Sequence, residues 1–374
     1  MAESFAAGIY KKLRKSEIIV DSDLFTKDEP PTQFLNTGII SMNCACSGRI
    51  DGGFAVGKLT VFSADSMLGK TIIGMCAIRH AQKLGLFCVV LDAEYQWDWK
   101  IAASIGIDPS QEKIIVIPNN QIEEVQEKIM QITGGLTHEE RGKLCFMLDS
   151  WGALVNYEGV KKAGDAESKK DFTLTQKKNN LANMILHTRS TFYVTNGVYD
   201  NVGGFGDPLK IPGGKRLILN AHTVILGKSK AKDQVKTGDE KELHGAIISC
   251  MMHKARYGRE KTEFKFRINY DGGLDIFYGI LDYAIEGGYV KEDGEKLYRP
   301  HIKGDAKVKE KNIYNSKFWA PIFKDTDFTE YMQKRHTFQG DFDVNKTTFY
   351  SDIDQDKKLS EMMAAEAATA ANPN

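Results

Sequence analysis

The sequence predicts an α/β fold: a mostly parallel sheet with an antiparallel hairpin at one edge, helices over both faces, and small additions at the N and C termini. Three observations predict it. The runs KLTVFSA, FCVVLDAE, KIIVIP, KLCFMLDS, TFYVTN and HTVILGK are apolar with few polar interruptions, as strands buried on both faces are. Segments of helical spacing stand between most of them, so the connections read as crossovers. From Ala246 to Tyr270 the rhythm changes to AIISCMMHKA and TEFKFRINY around the charged turn RYGREK, a hairpin that closes the sheet.

Taken in order, Phe5, Ile9, Tyr10, Leu13, Ile18 and Ile19 recur at close to helical spacing. The stretch DEPPTQ (Asp28 to Gln33) sets this segment apart, so residues 1–30 read as an arm for a neighbouring subunit, the alternative being a helix packed on its own domain. Glycines 48, 52, 53 and 57 then punctuate a short helix and lead into the first clear strand. A helix, TIIGMCAIRHAQKLG, follows that strand and ends at Gly85; WKIAASIG, QIEEVQEKIMQIT and TLTQKKNNLANMILHTR supply later crossovers. After the hairpin, LDIFYGILDYAIEGG reads as one helix, before a region rich in Lys, Tyr, Trp and Phe. From Tyr350 five acidic residues and two lysines lie among alanines, a mildly acidic tail. The expected organisation is the arm (1–30), the core (31–288), a small C-terminal region (289–345) and the tail (346–374).

With 50 Lys+Arg against 50 Asp+Glu in 374 residues, a surface for nucleic acid must come from local segregation of charge. The six cysteines lie mostly inside apolar runs and read as small core residues in a reducing cytosol. The eight histidines show no metal-ligand spacing, so no structural zinc is expected. No apolar run reaches the roughly 18 residues of a membrane span, and the first residues lack a secretory core, so the expected compartment is the cytoplasm, without membrane contact.

The chemistry centres on ADSMLGKT, which sits where a strand turns into a helix. Ala64, Asp65, Ser66, Met67, Leu68, Gly69, Lys70 and Thr71 fit the phosphate-binding loop [GA]-x-x-x-x-G-K-[ST], with Ala64 in place of the first glycine. Gly69 lets backbone amides curl into an anion-binding nest, Lys70 reaches the β- and γ-phosphates, and the Thr71 hydroxyl completes the shell of a nucleotide-bound Mg²⁺. LCFMLDSWG ends a second strand in Asp149, the position of an acid that holds Mg²⁺ through water. VVLDAEY ends a third in Asp92 and Glu94, and Glu94 suits orientation of a water that attacks the γ-phosphate; a capping acid for the following helix is the plain alternative. Two segments follow strand ends on the same edge: Asn156 to Lys178, with Lys161, Lys162, Lys169 and Lys170, and Val198 to Lys215, with Gly203, Gly204, Phe205, Lys210, Gly213 and Gly214. Lysines, glycine amides and an apolar side chain suit single-stranded DNA held without base reading; flexible loops are the alternative.

Together MNCACSGRIDGGFAVGKLTVFSADSMLGKT, LDAEYQWD, FMLDSWGAL, FYVTN, PGGK, HKAR and INYDGGLDIFYGILDYAIEGGYV, spread over residues 35–340, resemble the RecA family of homologous recombinases, and within it the UvsX recombinases of T-even-like phages. The resemblance implies a RecA-like ATPase core that forms a helical filament on single-stranded DNA, with ATP and Mg²⁺ between subunits, and exchanges strands with homologous double-stranded DNA. A recombination mediator and a single-strand-binding protein are the further partners it suggests. It also implies that Glu94 is the catalytic acid, that Asp98 lies beside the adenine, and that Lys254 and Arg256 supply cations to the ATP of the adjacent subunit. The chain departs from the family at Gly197, where a glutamine or histidine usually senses the γ-phosphate, and at Ile101, where bacterial members carry a tyrosine on the adenine. A RecA-like ring ATPase or helicase and a nucleotide-gated DNA-binding scaffold with little turnover are the alternative readings.

Overall fold

Successive residues of a strand face opposite sides of a sheet, so a strand apolar at every position needs a core on each side. The computed structural model, which describes residues 32–157, 172–200, 209–237 and 240–337, has that arrangement. Its central sheet has nine strands: β1 (Leu59–Ser63), β2 (Phe87–Asp92), β3 (Ile114–Pro118), β4 (Leu144–Asp149), β5 (Thr191–Asn196), β6 (Thr223–Thr237), β7 (Glu240–Ala255), β8 (Glu263–Asn269) and β9 (Gly273–Leu274). They lie in the order β9-β8-β7-β6-β1-β5-β4-β2-β3. The six from β6 to β3 are parallel, and β7, β8 and β9 add antiparallel strands at one edge.

On β4, Cys145 and Met147 enter one core with Val90, Tyr193 and Ile225, while Phe146 and Leu148 enter the other with Val89, Leu91 and Val194. Helices α1 (Ile40–Ser47), α2 (Lys70–Lys83) and α3 (Trp99–Ile105) cover the first face, through residues such as Met42, Ile73, Ile78 and Ala102. On the second face lie α4 (Ile122–Thr133), α6 (Phe172–Thr188) and α7 (Lys215–Asn220), contributing Val125, Ile129, Leu181, Ile185 and Leu217. The short α5 (His138–Gly142) leads into β4 behind a reciprocal capping box between Thr137 and Glu140. Five of the six cysteines are buried and Cys76 is partly so, in keeping with a core role.

The expected hairpin, AIISCMMHKA with TEFKFRINY, is formed by β7 and β8, and a second hairpin that the apolar pattern does not show joins β6 to β7. β6 runs to Thr237 and pairs antiparallel with β7 along its whole length, through charged residues such as Lys230, Lys232 and Asp233 that carry no apolar signal. The single helix read from LDIFYGILDYAIEGG is also corrected: only α8 (Leu281–Glu286) is helical. Before it, Arg267 draws Asp275 into an ion pair at 2.5 Å, the other Asp275 oxygen accepts from the Phe277 amide, and Gly279 takes φ 87°. Each pulls the backbone away from helical geometry.

The segment that follows builds a core of its own. Phe318, Trp319 and Ile322 from α9 (Ser316–Asp325), and Phe328 and Met332 from α10 (Phe328–His336), pack with Val290, Leu297, Ile280, Ala284 and with Ile40 and Cys44 of α1. Arg267 fastens this segment to β8, lying 4.8 Å from the Tyr278 ring and 4.4 Å from that of Tyr314. The arm and the tail lie outside the described residues, as do Lys161, Lys162, Lys169, Lys170, Gly203, Gly204 and Phe205. Among the described residues no helix is long and apolar enough to cross a membrane.

His336 gives this segment a pH dependence. It is buried with Nε2 unpartnered, and burial, then Arg335 and Arg259, push its pKa down to about 4. The folded chain keeps the imidazole neutral while the unfolded chain protonates it below its ordinary 6.5, so the unfolded state gains as pH falls from 6.5 to about 4. His336→Phe should therefore flatten the stability curve across that window by up to about 1.4 kcal/mol per pH unit. Urea melts at intervals of pH check this, and an unchanged slope would remove His336 as a source of acid lability.

Candidate nucleotide site and the strand ends around it

The phosphate loop leaves β1 at Ala64 and enters α2 at Lys70. Gly69 stands at φ 78°, ψ 10°, a left-handed conformation that turns the amides at the start of α2 toward one point. Lys70 Nζ donates to the carbonyls of Ala64 at 3.0 Å and Asp65 at 2.7 Å, so the ammonium lies across the loop that precedes it. Burial lowers its pKa, opposed by the charges of Asp149, Glu94 and Asp65. The Asp65 carboxylate accepts the Ser66 amide, Leu68 is buried, and Met67 projects from the loop with 82% of its surface exposed.

Asp149 ends β4, two strands from β1. Leu148 pairs with Val194 and Thr195 with Phe62, so Thr195 of β5 stands between Asp149 and the end of β1. Both carboxylate oxygens of Asp149 are engaged: Thr71 Oγ1 donates to Oδ2 at 2.6 Å and Thr195 Oγ1 donates to Oδ1. Burial pushes the Asp149 pKa up, and these two hydroxyls oppose the shift. The sequence reading missed Thr195, since a threonine inside a buried strand looks like any other β-branched residue.

Two carboxylates reached from β2 divide their work. Asp92 is buried and accepts from the amides of Gln96 at 3.1 Å and Trp97 at 2.9 Å, so it shapes the turn after the strand. Glu94 is exposed on the same edge, 2.5 Å from the Ser150 hydroxyl. Its amide and that of Ala93 donate to the Asp149 carbonyl, and the Asp149–Ser150 peptide is cis. Asp98 caps α3 through the amides of Lys100 at 2.6 Å and Ile101 at 3.1 Å, a structural task sufficient to account for an acid there. Trp99 and Ile101 beside it are about two-fifths exposed.

At the end of β5, Asn196 is fully buried and donates to the Pro212 carbonyl at 2.9 Å, while Gly197 has open space where a Cβ would project. The PGGK turn is clamped from beneath: Trp151 Nε1 donates to the Gly213 carbonyl at 3.1 Å. Gly213 is at φ 94°, and a Cβ there would come within 2.3 Å of Trp151 Nε1. Gly214, at φ 95°, packs against Asn179, and Lys210 is exposed in a two-residue strand paired with Tyr199–Asp200. Packing thus gives both glycines a reason to be glycine apart from any ligand.

Lys254 and Arg256 are not with the other site residues. Ala255 pairs with Thr223, which pairs with Thr60, whereas the loop begins beyond Ser63. The two cations therefore flank the edge of the sheet at which the parallel strands begin, opposite the phosphate loop. Arg256 lies one residue past β7, so the simple two-residue alternation of a strand does not describe the pair. Lys254 Nζ donates to the last carbonyls of α7, Ile218 at 3.0 Å and Leu219 at 2.7 Å. Arg256 lines a cavity of about 670 Å³ with Lys58, Arg189, His138, His187 and His222.

The chain is similar in sequence to known proteins. The model of the RecA N-terminal domain family matches residues 5–275. A recombination and repair protein of Enterobacteria phage T4 is 26% identical over 329 residues, covering 83% of this chain and 81% of its own. A RecA protein of Thermotoga petrophila is 25% identical over 278 residues, 74% of each chain. Among solved structures, a RadB recombinase aligns at 17% identity and TM-score 0.43 over 64% of this chain and 98% of its own.

The Trp151 clamp predicts an outcome. Gly213→Ala would force an L side chain into left-handed backbone and push Trp151 off its carbonyl, costing about 2–4 kcal/mol of stability. Equilibrium urea unfolding measures it, and a loss under about 0.5 kcal/mol would mean that the turn re-forms without the clamp.

Proposed function

The chain belongs to the RecA N-terminal domain family, and from that premise we propose that it is an ATP-dependent DNA recombinase, which assembles as a helical filament on single-stranded DNA and pairs it with homologous double-stranded DNA in recombination and repair. The observation that carries the reading is the grouping of Lys70, Thr71, Asp149 and Glu94 on one edge of the sheet, with Asp149 held between two hydroxyls. The donor set fits Mg²⁺–ATP: left-handed Gly69 at the start of a helix, an ammonium, a hydroxyl and a buried carboxylate. Thr71 and Asp149 would hold the metal, which when bound neutralises charge on the phosphate oxygens.

The chain's own residues then divide the work. Residues Ala64 to Thr71 wrap the phosphates, and Lys70 exchanges its two backbone carbonyls for phosphate oxygens. Glu94, exposed at the same edge, orients the attacking water. Asp98 and the exposed Ile101 flank the base. Lys254 and Arg256, across the sheet from their own phosphate loop, act on the nucleotide of the adjacent protomer, so hydrolysis depends on assembly. DNA is held by Lys161, Lys162, Lys169, Lys170 and Lys210 and by the backbone around Gly203, Gly204, Gly213 and Gly214, with Phe205 between bases. The arm, residues 1–30, contacts the neighbouring copy; a mediator and a single-strand-binding protein are further partners, and the setting is the cytoplasm.

Lys70→Ala should lose ATP binding and assembly together, whereas Glu94→Gln should bind ATP and DNA while hydrolysing at least about a hundredfold more slowly. Equal losses of nucleotide affinity would overturn the division of roles. A mixture of Glu94→Gln with a Lys254→Ala/Arg256→Ala double variant should recover part of the ATPase on single-stranded DNA, because some junctions join an intact Glu94 to an intact cation pair. No recovery despite proven co-assembly would confine the cations to their own protomer. Salt should weaken DNA binding, with log affinity falling by roughly 0.7 per phosphate contact for each unit of log salt. A flat salt response would place recognition outside the lysines.

A further inference from the structure

A nucleotide-driven machine needs a mechanical link between the phosphate edge and the segment that grips its polymer, and each strand end is a candidate for that link. β5 makes one such contact among the described residues, from the Asn196 side chain to the Pro212 carbonyl, but Asn196 meets the phosphate loop only through its own carbonyl, which accepts the Ala64 amide, and Gly197 has no side chain to reach across. The neighbouring strand end is different. Ser150, 4% exposed, sits between Asp149, whose carboxylate is engaged on both oxygens, and Trp151, which is fully buried. Its hydroxyl donates to Glu94 Oε1 at 2.5 Å, the one hydrogen bond made by that carboxylate among the described residues. On the other side of Ser150, Trp151 is fixed by its amide to the Thr195 carbonyl at 2.9 Å and by Nε1 to the Gly213 carbonyl at 3.1 Å. Two residues therefore span the distance from Glu94 to the base of the 198–215 segment.

We infer that Ser150 is a positioning residue with two effects: it holds the Glu94 carboxylate in line for the water, and it transmits a shift of that carboxylate through Trp151 to Gly213. An exposed glutamate with three rotatable bonds samples many positions, and a single short charge-assisted hydrogen bond selects one of them. Misplacement of a general base by about 1 Å costs on the order of a hundredfold in rate. Glu94 and Ser150 are also stitched through the Asp149 carbonyl, which accepts the Ala93 and Glu94 amides, so a shift of the carboxylate that carries the Ser150 hydroxyl or the Glu94 backbone with it loads the 149–151 backbone. Trp151 is rigidly packed, so the load reaches Gly213 rather than dissipating in a loop.

This inference rests on the ATPase reading above, and the experiment separates the two. Ser150→Ala, Ser150→Thr, Trp151→Phe, Glu94→Gln and the Ser150→Ala/Glu94→Gln double variant are compared with the wild-type chain for kcat and KM of ATP on single-stranded DNA. Affinity for a fluorescent oligonucleotide is measured with a non-hydrolysable ATP analogue and with ADP, as a ratio. Ser150→Ala should lower kcat about tenfold or more with KM within twofold, and should lower the affinity ratio severalfold; Ser150→Thr, which keeps the hydroxyl, should restore both. In the Glu94→Gln background, Ser150→Ala should cost nothing further, as a group acting only through Glu94 requires. Trp151→Phe keeps a buried ring but removes the donor to Gly213, and should lower the affinity ratio while kcat changes less than with Ser150→Ala. Wild-type kcat and ratio in Ser150→Ala, equal defects in Ser150→Thr, or additive losses with Glu94→Gln would each overturn the inference. If Ser150→Ala does not fold, Trp151→Phe decides it: a wild-type ratio rejects the link. A wild-type chain with no DNA-dependent ATPase would instead defeat the functional reading itself.

Discussion

The geometry of the site depends on burying one carboxylate. Asp149 is almost without solvent at the end of β4, and a carboxylate there is costly unless hydrogen-bond donors meet it. The donors come from two other segments, Thr71 at the head of α2 and Thr195 on β5. They meet the carboxylate only if β5 lies between β1 and β4 and if the loop after β1 folds back over the sheet edge. The strand order, the crossovers and the left-handed Gly69 are thus constrained together by the need to satisfy two oxygen atoms. The same demand fixes which edge of the sheet becomes the chemical one.

Much of the frame was legible in the sequence because it follows from periodicity. Strands buried on both faces must be apolar at every position, and β1, β2, β4 and β5 were visible for that reason. The loop Ala64 to Thr71 and Asp149 at a strand end were visible because phosphate and Mg²⁺ chemistry restricts residue types at fixed spacings. What stayed hidden was set by partners distant in the chain. The outer half of the β6–β7 hairpin is charged and stands on backbone pairing, so it left no apolar trace. A helix was expected through residues 274–288, but Arg267 captures Asp275 and breaks its first turns. Thr195, Ser150 and the Trp151–Gly213 clamp carry no motif; an interior hydroxyl announces itself only when its acceptor is located. The third core, around Trp319 and Phe328, was likewise legible only as an aromatic-rich stretch.

The positions of Lys254 and Arg256 also recast a sequence observation. Read along the chain, they are two cations near the end of a strand, with a solvated hairpin end as the ordinary account. In the fold they flank the edge at which β1 begins, and Lys254 is steadied by the carbonyls that end α7, where the helix dipole favours a positive charge. A cation so held is already oriented, and loses less freedom on meeting an anion than a lysine free in solvent.

That two-edged layout has a consequence for assembly. Surfaces that complement one another but sit on opposite sides of a molecule cannot both be satisfied by a two-fold axis, which brings a patch against its own copy. A head-to-tail contact satisfies them, closing into a ring where the rotation closes and running on as a helix where it does not; in the helical filament proposed above, each added copy leaves one surface of each kind unfilled. With Lys254 and Arg256 acting in trans as proposed, that polymer has direction: a phosphate-loop face is bare at one terminus and a lysine–arginine face at the other. Its two termini are chemically different objects, and a nucleotide bound at the first lies beyond reach of any neighbour's cations until another copy arrives.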